Sequence, residues 1–116
     1  FFPASELERF LEWEGILGGH PDRNRIPGIE ASTGSLGHGI PMAIGVALAL
    51  KAKGSDRRVY VLIGDGECQE GQIWEAAHVA ARYGVDNLIG IVDHNQFQQF
   101  GWRGAQGAER LRQRRR

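Results

Sequence analysis

Arg58-Val59-Tyr60-Val61-Leu62-Ile63-Gly64-Asp65-Gly66 is the stretch on which the fold turns. Its first six residues are a short, largely apolar and β-branched run, and Gly64-Asp65-Gly66 stops it. Such a run reads as a strand buried on both faces of a parallel sheet. Leu88–Val92 is a second run of the same kind, with Asn95 just past its end. Between the two, Gln72–Tyr83 has helical spacing, with Ile73, Ala76, Ala77 and Ala80 on one face and Gly84 placed as a C′ residue. Strand, turn, helix and strand make one βαβ unit, whose crossover should be right-handed. The expected class is α/β, a partial doubly wound parallel sheet with flanking helices.

Upstream, Ile40–Lys53 reads as another helix. Ile40, Ala43, Ile44, Ala47 and Leu48 share a face, and Val46 and Leu50 widen it enough to predict deep burial. Pro41 falls in the first turn, where its missing N–H costs nothing. Gly15 to Gly39 holds seven glycines and two prolines and reads as a long irregular segment, which in a compact chain is usually functional. Ser5-Glu6-Leu7-Glu8 has capping-box spacing and predicts a short helix through about Trp13.

Ligands of open α/β sheets gather at the carboxyl ends of the strands, and Asp65 and Asn95 both fall there. The 28 residues between Gly66 and Asn95 suffice for a turn, a helix, a loop and a strand. A carboxylate, an amide oxygen and a backbone carbonyl are hard donors, suited to Mg²⁺ or Ca²⁺ rather than zinc or copper. Mg²⁺ commonly takes only one or two protein side chains and completes its octahedron with water and substrate phosphates. Gly64 and Gly66 would let the backbone approach a diphosphate and donate N–H groups to it. Taken alone, Gly-Asp-Gly followed by Asn95 fits a plain strand-to-helix turn as well as it fits a metal–diphosphate site.

The bulk properties narrow the class. The chain has 116 residues, 41% of them hydrophobic, enough for one core or part of one. It contains no apolar run long enough for a membrane span and no secretory pattern. One cysteine, Cys68, excludes an internal disulfide and fits a reducing, cytoplasmic compartment. Zero net charge hides an asymmetry. Residues 103–116 carry six arginines against one glutamate, and the other 102 residues hold eight basic and thirteen acidic side chains. Clustered arginines suit phosphates, but this tail has no core-forming period. It is expected to be disordered or non-native, with no nucleic-acid role, which leaves residues 1–102 as the partial domain. Cys68 sits near a helix start, yet Glu67 and Glu70 flank it, so it reads as a packing residue.

The motifs around the turn settle the ambiguity. Gly19-His20-Pro21, Pro27-Gly28-Ile29-Glu30, Thr33-Gly34-Ser35-Leu36-Gly37-His38-Gly39, Gly64-Asp65-Gly66-Glu67, Gln69-Glu70-Gly71, Trp74-Glu75-Ala76-Ala77 and Asp86-Asn87-Leu88-Ile89 occur in this order. Together they closely resemble the thiamine-diphosphate-binding domain of transketolases, over roughly residues 5 to 101, and most of all the separately encoded N-terminal subunits of that family.

The resemblance implies a set of roles. Asp65 and Asn95 match side-chain ligands of Mg²⁺, and Phe97 matches a backbone carbonyl ligand. Gly64 lies in the same motif, and Gly66 and Asn95 match diphosphate contacts. Gly34, Ser35 and Leu36 match a loop against the cofactor, with Ser35 where long-chain relatives commonly carry proline. His20 matches a histidine that touches the sugar substrate, and Glu70 a carboxylate in the subunit interface. His38 reads as a helix-start residue, His94 as solvent-facing, and His78, mid-helix, as packed or facing water. The implied activity is transfer of a two-carbon ketol unit from a ketose phosphate to an aldose phosphate, in carbohydrate metabolism of the pentose phosphate type. The implied partners are sugar phosphates and a pyrimidine-binding domain or subunit, in a dimer or heterotetramer.

The match departs from the family before residue 5 and after Gly101. The upstream histidines and the glutamate-bearing second domain are not in this sequence. The isolated chain is therefore expected to be inactive in ketol transfer. The alternatives are a fragment of a deoxyxylulose-phosphate synthase or 2-oxo acid dehydrogenase, or a non-catalytic truncated product.

Overall fold

The computed structural model describes residues 1–99 and the backbone of residues 101–102. The chain divides into two compact units, Phe1–Leu36 and Gly37–Arg116. The Arg-rich stretch 103–116 lies outside the described residues.

The first unit is built of turns. A single 3₁₀ helix spans Ala4–Leu7, with Pro3 as its N-cap and no side-chain capping bond. This corrects the expected capped helix through Trp13. Ser5 lies inside the turn instead of before it, so its hydroxyl is not placed to cap. Leu11 then takes φ 66°, and its N–H donates to the carbonyl of Leu17 (2.9 Å). That left-handed residue breaks any continuing helix. Asp22 organises the next turn by accepting the Asn24 N–H through Oδ1 (2.9 Å), an Asx turn, while Arg25 reaches the carbonyl of Gly15 (2.7 Å). Ile26 is the buried apolar side chain of this unit.

The second unit holds the sheet. Helix α1 spans Gly39–Ala52, strand β1 Val59–Gly64, helix α2 Gly71–Arg82 and strand β2 Leu88–Asp93. A 3₁₀ turn, Glu67–Gln69, links β1 to α2. Strands β1 and β2 pair in parallel, with Val59 opposite Leu88 and Gly64 opposite Asp93. The βαβ unit is therefore in place, in an α/β arrangement, and the expected element boundaries hold to within a residue or so. Gly84 closes α2 with φ 57°, as a C′ glycine does.

Helix α1 packs on both strands and on α2. Ala43, Ile44 and Ala47 of α1 form the core with Ile63 of β1 and with Ile73 and Ala76 of α2. Half of these are alanines, which lets the helices approach closely. Two expectations fail here. Strand β1 is not buried on both faces: Val59, Val61 and Ile63 turn inward while Tyr60 (64% exposed) and Leu62 (71%) face out. Helix α1 is not deeply buried all round either, since Met42 and Val46 are exposed. The physical reason is the same in both cases. An apolar run records what a segment could bury, whereas burial needs a second covering layer, and the described residues cover one side of β1.

A short antiparallel pair was not foreseen. Strand β3, Phe97–Gln98, pairs with β4, Gly101–Trp102, directly after the Asn95 turn. Two-residue strands have too little length to show a period.

Candidate functional site

The carboxyl ends of β1 and β2 are adjacent, so the residues that follow them meet. Asp65 is 1% exposed, the most buried charged side chain among the described residues. Its backbone N–H continues the ladder by donating to the carbonyl of Asp93 (3.2 Å). Its carboxylate faces the turn after β2. There Oδ2 accepts the N–H of Gln96 (3.1 Å) and lies 3.4 Å from Nδ1 of His94. An anion this deeply buried is stable only with positive or donor partners around it.

The turn that receives Asp65 is held in an uncommon shape. Gln96 has φ 64°, a conformation that non-glycine residues seldom adopt and that clusters at functional sites. Asn95 fixes the turn from inside. Its Nδ2 donates to Asp93 Oδ2 (2.9 Å), and its Oδ1 accepts the Phe97 N–H (2.8 Å). Because the two ends of the amide have different partners, its oxygen is directed toward Phe97 and its nitrogen toward Asp93. Asp65, Asn95 and Phe97, the three expected ligands, thus stand in one tight cluster of strand ends. His94, read from sequence as solvent-facing, is 70% exposed in its side chain yet contributes to this cluster through Asp65. No sequence period marks such a contact.

The glycines on either side of Asp65 differ. A Cβ on Gly66 would fall 2.7 Å from Cβ of Gln98, so β3 packs directly on this residue and only glycine fits. A Cβ on Gly64 would meet nothing closer than 3.8 Å. The Gly64 N–H, expected to serve a phosphate, is engaged by Glu67 Oε2 (3.2 Å). Trp74 supports the same turn, its indole N–H donating to the carbonyl of Cys68 (3.1 Å).

Among the described residues there is no group of three or more His, Cys, Asp and Glu able to hold a metal. That donor set does not suit a dedicated all-protein cage. It does suit Mg²⁺ carried by a diphosphate, which needs few protein ligands. One buried carboxylate, one oriented amide oxygen and a neighbouring backbone therefore fit such a group.

Glu70 is the N-cap residue of α2 and is exposed. In the first unit, His20 and Gly34 come together. Gly34 has φ 130°, and a Cβ there would lie 2.7 Å from Cγ of His20, so the imidazole rests on the glycine backbone. Ser35 and Leu36 follow in an exposed turn.

The sequence model of the family described as "Transketolase, thiamine diphosphate binding domain" matches residues 2–114. The chain belongs to this transketolase family. Its thiamine-diphosphate-binding domain is the part represented here. Over 102 residues the chain is 48% identical to an apulose-4-phosphate transketolase subunit of Actinobacillus succinogenes, covering 88% of this chain and 37% of that protein. It is 41% identical to a 6-deoxy-6-sulfo-D-fructose transketolase subunit of a Clostridium species, again over 88% of this chain and 37% of the relative. The crystal structure of transketolase from Campylobacter jejuni superposes with a TM-score of 0.75 at 36% identity, covering 87% of this chain and 17% of that one. The transketolase domain thus accounts for most of this sequence, while the sequence spans well under half of each relative. No helix among the described residues is long and apolar enough to cross a membrane.

Proposed function

We propose that this chain is the Mg²⁺–thiamine-diphosphate-binding part of a transketolase-type transferase that moves a two-carbon ketol unit from a ketose phosphate to an aldose phosphate. The observation that carries this reading is the buried Asp65 carboxylate at the end of β1, facing the Asn95 turn at the end of β2. Ketol transfer is the general activity of the family, and the subunit names of the relatives support a site completed by another domain or chain.

Asp65 would supply the charge that holds the cation, Asn95 Oδ1 a neutral oxygen ligand and Phe97 a backbone carbonyl. Gly66 brings the backbone close to the diphosphate, and Asn95 adds a side-chain contact to it. When bound, thiamine diphosphate supplies a nucleophilic carbon that can cleave and rebuild the bond next to a ketose carbonyl. By the family resemblance, Gly34, Ser35 and Leu36 would form a loop against the cofactor. His20, held on the backbone of Gly34, would hydrogen-bond a substrate oxygen or exchange a proton there. Glu70 takes part in the interface with the completing subunit. The pyrimidine-binding partner provides the groups that activate the cofactor, so this chain alone does not turn over.

Calorimetry tests the reading. Thiamine diphosphate should bind in Mg²⁺ and lose affinity when the metal is chelated. Asp65→Ala should weaken binding by at least about 100-fold and Asn95→Ala by about tenfold, as expected for a charged and a neutral ligand. Equal binding by the wild type and both variants would sink the metal assignment.

A further inference from the structure

Glu67 stands outside the ligand set, yet it joins two elements of the site. Its Oε1 accepts the N–H of Gly37 (2.8 Å), and its Oε2 accepts the N–H of Gly64 (3.2 Å). Gly37 directly precedes His38, the N-cap of α1, and Gly64 is the last residue of β1. One carboxylate therefore spans the start of a helix and the end of a strand.

Helix α1 has need of such a partner. Its N-cap, His38, makes no side-chain capping hydrogen bond, and its first turn holds no acidic residue. A carboxylate beside a helix N-terminus is favoured both by the exposed N–H groups and by the helix dipole. Glu67 brings that carboxylate from 30 residues away. The 3₁₀ turn that carries it is itself tied down, through the Trp74 indole bond to Cys68.

Gly64, the second donor, immediately precedes Asp65. If the Glu67 contact is lost, the end of β1 loses its hydrogen-bonded tie to the start of α1, directly beside Asp65. We infer that Glu67 is the positioning residue of the Asp65 turn: a carboxylate brace that fastens the end of β1 to the start of α1 and so holds Asp65 against the Asn95 turn. Its bearing on cofactor binding rests on the reading above, whereas the brace itself can be tested without any ligand.

Chemistry specifies the side chain. Each oxygen serves one N–H. Glutamine offers one acceptor oxygen and an NH₂ group that would confront the other N–H, so it can keep one contact but not both. Aspartate is one methylene shorter and cannot span the same pair.

The test is amide hydrogen exchange by NMR on the full 116-residue chain. Glu67→Ala should speed exchange at Gly37 and Gly64 by about tenfold or more, the loss expected for hydrogen bonds to a charged acceptor. It should also speed exchange at Gln96, whose N–H is held by Asp65. Val59, whose N–H donates to the carbonyl of Asn87 at the far end of β1 (2.8 Å), should not change and reports on global stability. Glu67→Gln should leave one of the Gly37 and Gly64 amides protected and release the other. Should Glu67→Ala melt the chain, so that Val59 exchanges too, the Glu67→Gln asymmetry decides. Unchanged protection at both glycines in Glu67→Ala, or full protection of both in Glu67→Gln, would overturn the brace. Failure of the wild type to bind thiamine diphosphate with Mg²⁺, alongside the expected exchange pattern, would remove the cofactor reading and leave the brace standing.

Discussion

At the carboxyl end of the β1–β2 pair, Asp65 is 1% exposed and its carboxylate meets Gln96 and His94. At the amino end, Asp86 has a side chain 83% exposed, and it pairs with Lys51 across water-accessible space (2.7 Å). Asparagines divide in the same way. Asn95 orders a turn of uncommon backbone shape, with Gln96 at positive φ. Asn87 donates to the carbonyl of Ala47 (3.0 Å) and so stitches β2 to helix α1. The same residue types thus order a buried turn at one end, where binding is proposed, and serve cohesion at the other. What separates them is burial of charge and backbone strain, not composition. Substitutions at the carboxyl end should cost ligand more than stability, and substitutions at the amino end the reverse.

The exception that sharpens the contrast most is Gly66, because it lies at the carboxyl end, where binding is proposed, yet supports packing. Gly66→Ala should destabilise the chain by about 1–3 kcal/mol, since the new methyl must displace Gln98 and β3. Denaturant unfolding would measure this, and a neutral result would mean that β3 does not rest on the turn. A smaller effect is expected at the other end. Asn87→Ala removes one partly buried hydrogen bond and should cost about 1 kcal/mol in the same assay, with cofactor affinity unchanged.

The smallest effect concerns pH. The hydrogen bond from Lys51, and then its charge, holds Asp86 below the ordinary aspartate range. A carboxyl group with a lowered folded pKa stabilises the fold above its unfolded pKa. It loses that contribution as pH falls through the folded value. Wild type should therefore melt slightly above Asp86→Asn at neutral pH, and the two curves should converge in acid. The gap is small because the pair is exposed to solvent. A gap that widened in acid would contradict the pairing.

The contrast also shows what could be read from the sequence. The strands, both helices and the Gly-Asp-Gly turn were legible because each is a local pattern with a clear period or break. The cluster of Asp65 and Asn95 followed from topology, since parallel neighbours place their carboxyl ends together. Glu67 was not legible as a brace, because its bond to Gly37 links residues 30 apart and leaves no local trace. Gln96 gave no warning of a positive φ, for which glycine or asparagine would be the usual signal. Leu62 and Tyr60 misled for a different reason: an apolar strand reads alike whether its second face is covered or open.

The central claim is that the cation sits at the Asp65 end of the sheet. Replacing Mg²⁺ by paramagnetic Mn²⁺ in the presence of thiamine diphosphate, and reading amide line widths by NMR, tests it most directly. Strong broadening is expected at Asp65, Gly66, Asn95, Gln96 and Phe97, with Val59 and Asp86 left sharp. Broadening centred on the Asp86 end, or spread evenly along both strands, would contradict it.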